Sequence, residues 1–228
     1  MWTRQQVAAT IDHAALKPNM TDQDIATACE LGRKYKVATV CVRPSDVALA
    51  ARLLAGSGVA PAAVVGFAHG ANQPQTKALE ARLAIADGAR ELDMVVNIGK
   101  LLSGDDAWVQ RDIAAVVAEA RPAGALVKVI LETCLLTSEQ IAQGCRLAQR
   151  AGADFVKTST GFSDGGATRE AIEVMLKTVG ATMGVKASGG IRTWDTAIAY
   201  LNQGCRRLGV ASTAQVLDGA PAPAGGGY

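Results

Sequence analysis

The chain has 228 residues, 49% of them hydrophobic, enough for one compact globular unit with a sizeable core. Lysine plus arginine number 23 against 21 for aspartate plus glutamate, a formal charge of +2 with no basic block, and aromatics are only 4%. That balance argues against a nucleic-acid binder, which clusters its cations and interleaves aromatics for stacking.

Short runs rich in valine or isoleucine recur between longer amphipathic segments, as strands buried on both faces require. The first is a strand over Ile11–Ala14, followed by a helix over Asp22–Tyr35 that Thr21 caps. Strands follow over Ala38–Val42 and Ala62–Phe67, then a helix over Gln75–Asp87 and a strand over Glu91–Asn97. A helix over Asp105–Ala120, a strand over Val127–Glu132 and a helix over Ser138–Ala151 come next. The remainder reads as strand Phe155–Ser159, helix Thr168–Val179, strand Gly184–Ser188, helix Thr193–Gln203 and strand Arg207–Val210. Helices commonly end at a glycine, as at Gly152 and Gly204.

Eight strands alternating with helices, at roughly 30 residues per unit in most cases, predict a single (β/α)8 TIM barrel. The competing open doubly wound sheet lacks its Gly-x-Gly-x-x-Gly fingerprint here. Residues 1–217 are assigned to the barrel. Residues 218–228, a run of Gly, Ala and Pro ending in Tyr228, are assigned to a short flexible C-terminal tail.

The five cysteines (Cys29, Cys41, Cys134, Cys145, Cys205) are odd in number and lack Cys-x-x-Cys spacing, so neither a disulfide framework nor a zinc site is expected. A reducing cytoplasm fits this usage. No apolar run reaches the ~18 residues of a membrane span, and the first residues contain no signal-peptide core. His13 and His69 have no ligand company, so no metal and no other cofactor is expected.

Barrel chemistry gathers at the carboxyl ends of the strands, where polar residues interrupt the apolar runs. Lys128, Lys157 and Lys186 lie inside three successive strands. Ammonium groups brought together in a low-dielectric interior have their pKa lowered by desolvation and by one another, and a neutral amine attacks carbonyls to form a Schiff base. The structural alternative is that each lysine pairs with a carboxylate such as Asp93 or Glu132. Asp12 and Asp93 are the other strand-borne charges, suited either to holding an iminium and moving protons or to ion pairing alone. Thr158 to Gly161, Ser188 to Gly190 and Gly209 to Ser212 follow the last three strands, where barrels often bind phosphate, although glycines also serve ordinary turns. These features leave three readings open: a Schiff-base aldolase, a transaldolase, or a non-catalytic phosphosugar-binding barrel.

Several motifs resemble those of the deoxyribose-phosphate aldolase family, the class I aldolases that act through a lysine Schiff base. They are Asp12-His13-Ala-Ala-Leu-Lys17-Pro18, Val40-Cys41-Val42-Arg43-Pro44, Val64-Val65-Gly66-Phe67, Glu91-Leu-Asp93-Met-Val-Val-Asn97, Lys128-Val-Ile-Leu-Glu132, Lys157-Thr-Ser-Thr160-Gly161 and Lys186-Ala-Ser188-Gly189-Gly190. The resemblance implies reversible cleavage of 2-deoxyribose 5-phosphate to acetaldehyde and glyceraldehyde 3-phosphate. It makes Lys157 the Schiff-base lysine, Lys186 the lysine that lowers its pKa, and Asp93 the aspartate of the proton relay. Asp12, Cys41, Lys128, Thr160, Gly161, Gly189, Gly190 and Ser212 fall where the family binds substrate or its phosphate. The implied partners are small phosphosugars and aldehydes, not nucleic acid or membrane, and a homodimer is an open option.

Three features depart from the family pattern or are particular to it. Gly66-Phe67-Ala68-His69-Gly70 replaces Gly-Phe-Pro-x-Gly, and Ala211-Ser212 replaces a pair of serines, which removes one possible hydrogen bond to phosphate. Tyr228 resembles the terminal tyrosine that assists proton transfer in some relatives. Cys41 has two readings, a thiol exposed to reactive aldehydes or an inert core residue.

Overall fold

A computed structural model describes residues 2–221. Eight parallel strands, β1 (Ile11–Ala15), β2 (Thr39–Val42), β3 (Ala60–Val65), β4 (Glu91–Val95), β5 (Leu126–Ile130), β6 (Phe155–Lys157), β7 (Gly184–Ser188) and β8 (Arg207–Val210), follow one another around a barrel that closes where β8 pairs with β1. Every strand predicted from the sequence is present, as are the six predicted helices.

The helices are α1 (Arg4–Ala8), α2 (Asp22–Tyr35), α3 (Val47–Leu54), α4 (Pro74–Ala86), α5 (Ile98–Leu102), α6 (Asp106–Ala120), α7 (Ser138–Ala151), α8 (Arg169–Val179), α9 (Trp194–Gln203) and α10 (Thr213–Asp218). Thr21 caps α2 through its hydroxyl, as expected, and Gly152 ends α7 in the left-handed region at φ 83°. Helices α1, α3, α5 and α10 are additions to the sequence reading. Three of them span only five or six residues and α3 spans eight, lengths that leave little room for a helical period to repeat. The last helix includes Asp218, whose carboxylate pairs with Arg4 and accepts the Tyr35 hydroxyl at 2.9 Å. Ala220 also packs against the core, so the packed unit runs three residues past the boundary drawn at 217, and residues 222–228 lie outside the described residues. Among the described residues no helix is long and apolar enough to cross a membrane.

Strand alternation divides the interior in two. Ile11, Val40, Val42, Ala63, Val65, Leu92, Met94, Val127, Val129, Val156, Val185, Leu208 and Val210 belong to one buried apolar core, the layer between barrel and helices. The alternate residues face the barrel axis, and few of them are the branched apolar residues that usually fill such an interior. Ala62, Val64, Cys41 and Leu16 form a small separate apolar cluster on the β1–β3 side. Charged residues occupy much of the rest, with Val95 and Ile130 buried on the same strand faces as Asp93 and Lys128. At the amino-terminal floor, Phe155 fills the space of a missing side chain at Gly184, where a Cβ would fall 2.2 Å from its ring.

A buried ion pair lies outside the barrel axis. Lys77 of α4 donates to Asp112 of α6 at 2.6 Å and to the Val95 carbonyl at 2.8 Å, and both side chains are fully buried. Burial holds Lys77 below the ordinary lysine value and pushes the Asp112 carboxyl up, so desolvation outweighs mutual attraction for each partner. Asp112→Ala is expected to destabilise the protein by about 3 to 5 kcal/mol, because it strands a buried cation. The double variant Lys77→Met/Asp112→Leu should recover most of that loss in urea unfolding; a double variant as unstable as the single one would contradict this.

Candidate active site

Register places the charged residues side by side. Lys157 of β6 is the partner of Lys186 on β7, and Asp93 of β4 is the partner of Lys128 on β5. One Asp93 oxygen, Oδ2, accepts from both Lys157 Nζ and Lys186 Nζ, each at 2.7 Å. The other, Oδ1, accepts from Lys128 Nζ at 2.8 Å. Lys186 also reaches Asp12 Oδ2 at 2.5 Å, and Lys128 reaches Glu91 Oε2 at 2.6 Å and Asp12 Oδ2 at 3.5 Å. Arg207 closes the network by donating to Asp12 Oδ1 and to both Glu91 oxygens.

Seven ionisable side chains are thus packed in contact, four cations (Lys128, Lys157, Lys186, Arg207) and three carboxylates (Asp12, Glu91, Asp93). With all four cations protonated and all three carboxylates ionised, the set carries one positive charge too many. The lysines share that excess unequally. Burial holds the Lys157 amine below the ordinary lysine value, and the Lys186 charge lowers it further against the pull of Asp93. Burial also opposes charge on Lys186 and Lys128, but Asp12 and Asp93 outweigh it at both, with Glu91 adding at Lys128, and both pKa values rise. The expectation that burial and like charge depress every lysine of the cluster holds for Lys157 alone, because only Lys157 has a single carboxylate. Burial works against charge on Asp93 and Asp12 too, and their cationic neighbours hold both carboxyls below the usual range.

Around this cluster the carboxyl ends of the strands form a mouth. Phe67, after β3, meets Phe162, after β6, edge to face with ring centroids 5.1 Å apart. On the β6–β8 side Gly161, Gly189 and Gly190 all have positive φ, and nothing lies within 4 Å of where a Cβ would stand at Gly161 or Gly190, so backbone is open to the mouth there. Glu132, itself in the left-handed region at φ 59°, accepts the Thr160 hydroxyl and the Thr160 N–H, which fixes the turn after β6.

The family model for the DeoC/LacD family aldolases matches residues 6–213. The chain belongs to this aldolase family. A deoxyribose-phosphate aldolase of Geobacillus sp. (strain WCH70) is 51% identical over 213 residues, covering 93% of this chain and 95% of the relative. One of Bacillus mycoides (strain KBAB4) is 52% identical over 215 residues, covering 94% and 96%. Among solved structures, deoxyribose phosphate aldolase from Aeropyrum pernix superposes with a TM-score of 0.89 at 31% identity, over 95% of this chain and 91% of that one.

Within this DeoC/LacD aldolase the residues singled out from sequence separate by place. Lys157, Lys186, Asp93 and Asp12 meet at the centre. Lys128 sits among them without exposed surface, its ammonium against three carboxylates, so its contacts are those of an ion-pair hub and not of a substrate ligand. Thr160 is buried through Glu132, while Gly161, Gly189 and Gly190 line the mouth and the half-buried Ser212 begins α10 without a capping bond from its side chain. Tyr228 lies outside the described residues. His13 is structural: its Nδ1 is 2.9 Å from the Thr213 hydroxyl, and burial lowers its pKa to about 4, so it is neutral at pH 7. Asn97 caps α5.

Sequence reasoning missed Glu91 and Arg207, which begin β4 and β8. The available signal was period two, since Glu91 shares a face with Asp93 and Arg207 with Gly209. Ser159, inside the Thr158–Gly161 segment marked from the sequence, has a buried hydroxyl with no hydrogen-bond partner among the described residues.

Cys41 faces this cluster from β2 but is buried, and burial, with Asp93 adding, pushes its thiol up to about 12. All five cysteines are free, and Cys134 alone is exposed. Titration of the native protein with a chromogenic disulfide at mildly alkaline pH should therefore consume one thiol quickly and release the other four only on unfolding. Fast reaction of a second thiol, lost in Cys41→Ser, would contradict the inert reading of Cys41.

Proposed function

We propose that this aldolase reversibly cleaves 2-deoxy-D-ribose 5-phosphate to acetaldehyde and D-glyceraldehyde 3-phosphate through a Schiff base on Lys157. The observation that carries the reading is the single Asp93 oxygen shared at 2.7 Å by two lysines, of which only Lys157 is held below the ordinary lysine value. The names of the relatives, deoxyribose-phosphate aldolases over nearly their whole length, support the substrate.

In the cleavage direction neutral Lys157 attacks the C1 aldehyde of the open-chain sugar, and loss of water gives a protonated imine. The imine puts positive charge back where an ammonium would have stood, so Asp93 serves the same electrostatic purpose before and after the covalent step. Deprotonation of the C3 hydroxyl, relayed by Asp93 and Lys186, sends the electrons of the C2–C3 bond toward the imine. Glyceraldehyde 3-phosphate leaves, and an enamine remains on Lys157. Protonation of the enamine carbon and hydrolysis of the resulting imine release acetaldehyde and regenerate the amine.

Gly161, Gly189, Gly190 and Ser212 are assigned to the phosphate, whose binding contributes orientation at a distance from the breaking bond. Asp12 holds Lys186 charged and is placed near the sugar. The exposed Ala211, lacking a hydroxyl, weakens the phosphate subsite. The free cysteines and the absence of a membrane-crossing helix among the described residues support a cytoplasmic place of action.

Acetaldehyde with sodium borohydride should leave a single ethyl group on the peptide that bears Lys157, and none in Lys157→Leu. Label on another lysine, or none in folded protein, would overturn the assignment. For the phosphate subsite, Ala211→Ser is expected to lower KM for the phosphorylated sugar about tenfold with little change for unphosphorylated 2-deoxyribose. Equal KM changes for the two sugars would remove Ala211 from the account.

A further inference from the structure

The deepest part of the ion network has no place in the reaction just described. Arg207 and Glu91 are the first residues of β8 and β4, on opposite sides of the barrel, and they meet across its floor through two hydrogen bonds of 2.6 and 2.9 Å. The Arg207 guanidinium lies 5.9 Å from the centroid of the Phe155 ring, which fills the floor beside them. Neither residue touches Lys157. Each is joined to it by a chain of contacts between buried groups.

From Arg207 the chain runs to Asp12 Oδ1 at 2.5 Å, from Asp12 Oδ2 to Lys186 at 2.5 Å, and from Lys186 to the Asp93 oxygen that also holds Lys157. From Glu91 it runs to Lys128 at 2.6 Å and from Lys128 to the other Asp93 oxygen at 2.8 Å. The side chains along both routes are at most 15% exposed, so water and salt screen them little. The two ends act with opposite sign. Glu91 draws Lys128 away from Asp93 and leaves more of that carboxylate for Lys157. Arg207 draws on Asp12 and Glu91 and leaves less negative charge for the three lysines.

We propose that Glu91 and Arg207 are positioning residues that set, from the floor of the barrel, the charge balance in which Lys157 is the lysine left neutral. The inference rests on the assignment of Lys157 as the Schiff-base lysine. The ionisable groups that face the cluster are Asp12 from β1, Cys41 from β2, Glu91 and Asp93 from β4, Lys128 from β5, Lys186 from β7 and Arg207 from β8; β3 contributes only Ala62 and Val64. With four cations against three carboxylates, removing a carboxylate drives Lys157 to shed its proton more readily, and removing a cation does the reverse.

The test is the pH dependence of the initial rate at which acetaldehyde and cyanoborohydride ethylate Lys157, read by peptide mass so that the labelled residue is known. In Glu91→Gln the midpoint of the rising limb should move down by about half a pH unit or more, and in Arg207→Gln it should move up by a similar amount. The double variant Glu91→Gln/Arg207→Gln, which restores the charge count, should return toward wild type, and Arg207→Lys should leave the midpoint in place. A merely structural role would lower rates without moving the midpoints in opposite directions. Should Arg207→Gln fail to fold, Glu91→Gln against the double variant carries the same comparison. Ethylation of Lys157 with coincident midpoints in all variants overturns this inference alone, whereas ethylation of a different lysine in the wild type overturns the Schiff-base assignment beneath it.

Discussion

One carboxylate organises the interior of this barrel. Asp93 is fully buried and accepts three lysines on two oxygens, a concentration of charge that would be prohibitive without it, since each ammonium taken from water into a low-dielectric interior loses several kcal/mol of solvation. Asp93 alone cannot neutralise three cations. Asp12 and Glu91 are therefore drawn into the same cluster, but Arg207 enters with them as a fourth cation, and the resulting shortfall of one carboxylate falls on the lysine with the fewest partners. Lys157 is that lysine. Its lowered pKa is thus a property of the whole charge arrangement, and burial of the side chain alone would not single it out from Lys128 or Lys186.

The fold accommodates this cluster by segregating its apolar packing. The main core lies between strands and helices and is built from valine, isoleucine, leucine and alanine on the outward faces of the strands. Inside the barrel the Leu16, Cys41, Ala62 and Val64 group borders the lysines on the β1–β3 side, with Val95 and Ile130 buried above Asp93 and Lys128 on their strands and Phe155 at the floor. Open glycine backbone lies on the opposite side, after β6 and β7. A substrate whose one end is a small aldehyde and whose other end is a phosphate matches that polarity of the mouth. The Lys77–Asp112 pair is a second buried charge feature, and its bond to the Val95 carbonyl secures the end of the strand that carries Asp93.

Most of the barrel was legible in the sequence because strands buried on both faces appear as short apolar runs at regular spacing, and a lysine inside such a run has no ordinary explanation. Three lysines on successive strands therefore pointed to the buried charge cluster. The partition of charge among them was not legible: Lys128 and Lys186 differ from Lys157 through Glu91 and Asp12, and these contacts depend on barrel closure and strand stagger that no local pattern encodes. Glu91 and Arg207 are 116 residues apart and meet only because β4 and β8 face each other across the axis. Lys77 and Asp112 escaped notice for a different reason, since a charge within a helical segment reads as a solvated face. Short helices such as α5 and α10 are held by their tertiary surroundings and carry little periodicity of their own.

The most direct test of this account is a carbon-detected NMR titration of protein labelled at the lysine ε-carbons, with the Lys157 signal assigned by its loss in Lys157→Leu. Lys157 is expected to titrate below the ordinary lysine value of ~10.4, while the Lys128 and Lys186 signals stay in the charged form throughout the range in which the protein is folded. Titration of Lys157 at or above that ordinary value, or loss of a proton from Lys186 before Lys157, would contradict it.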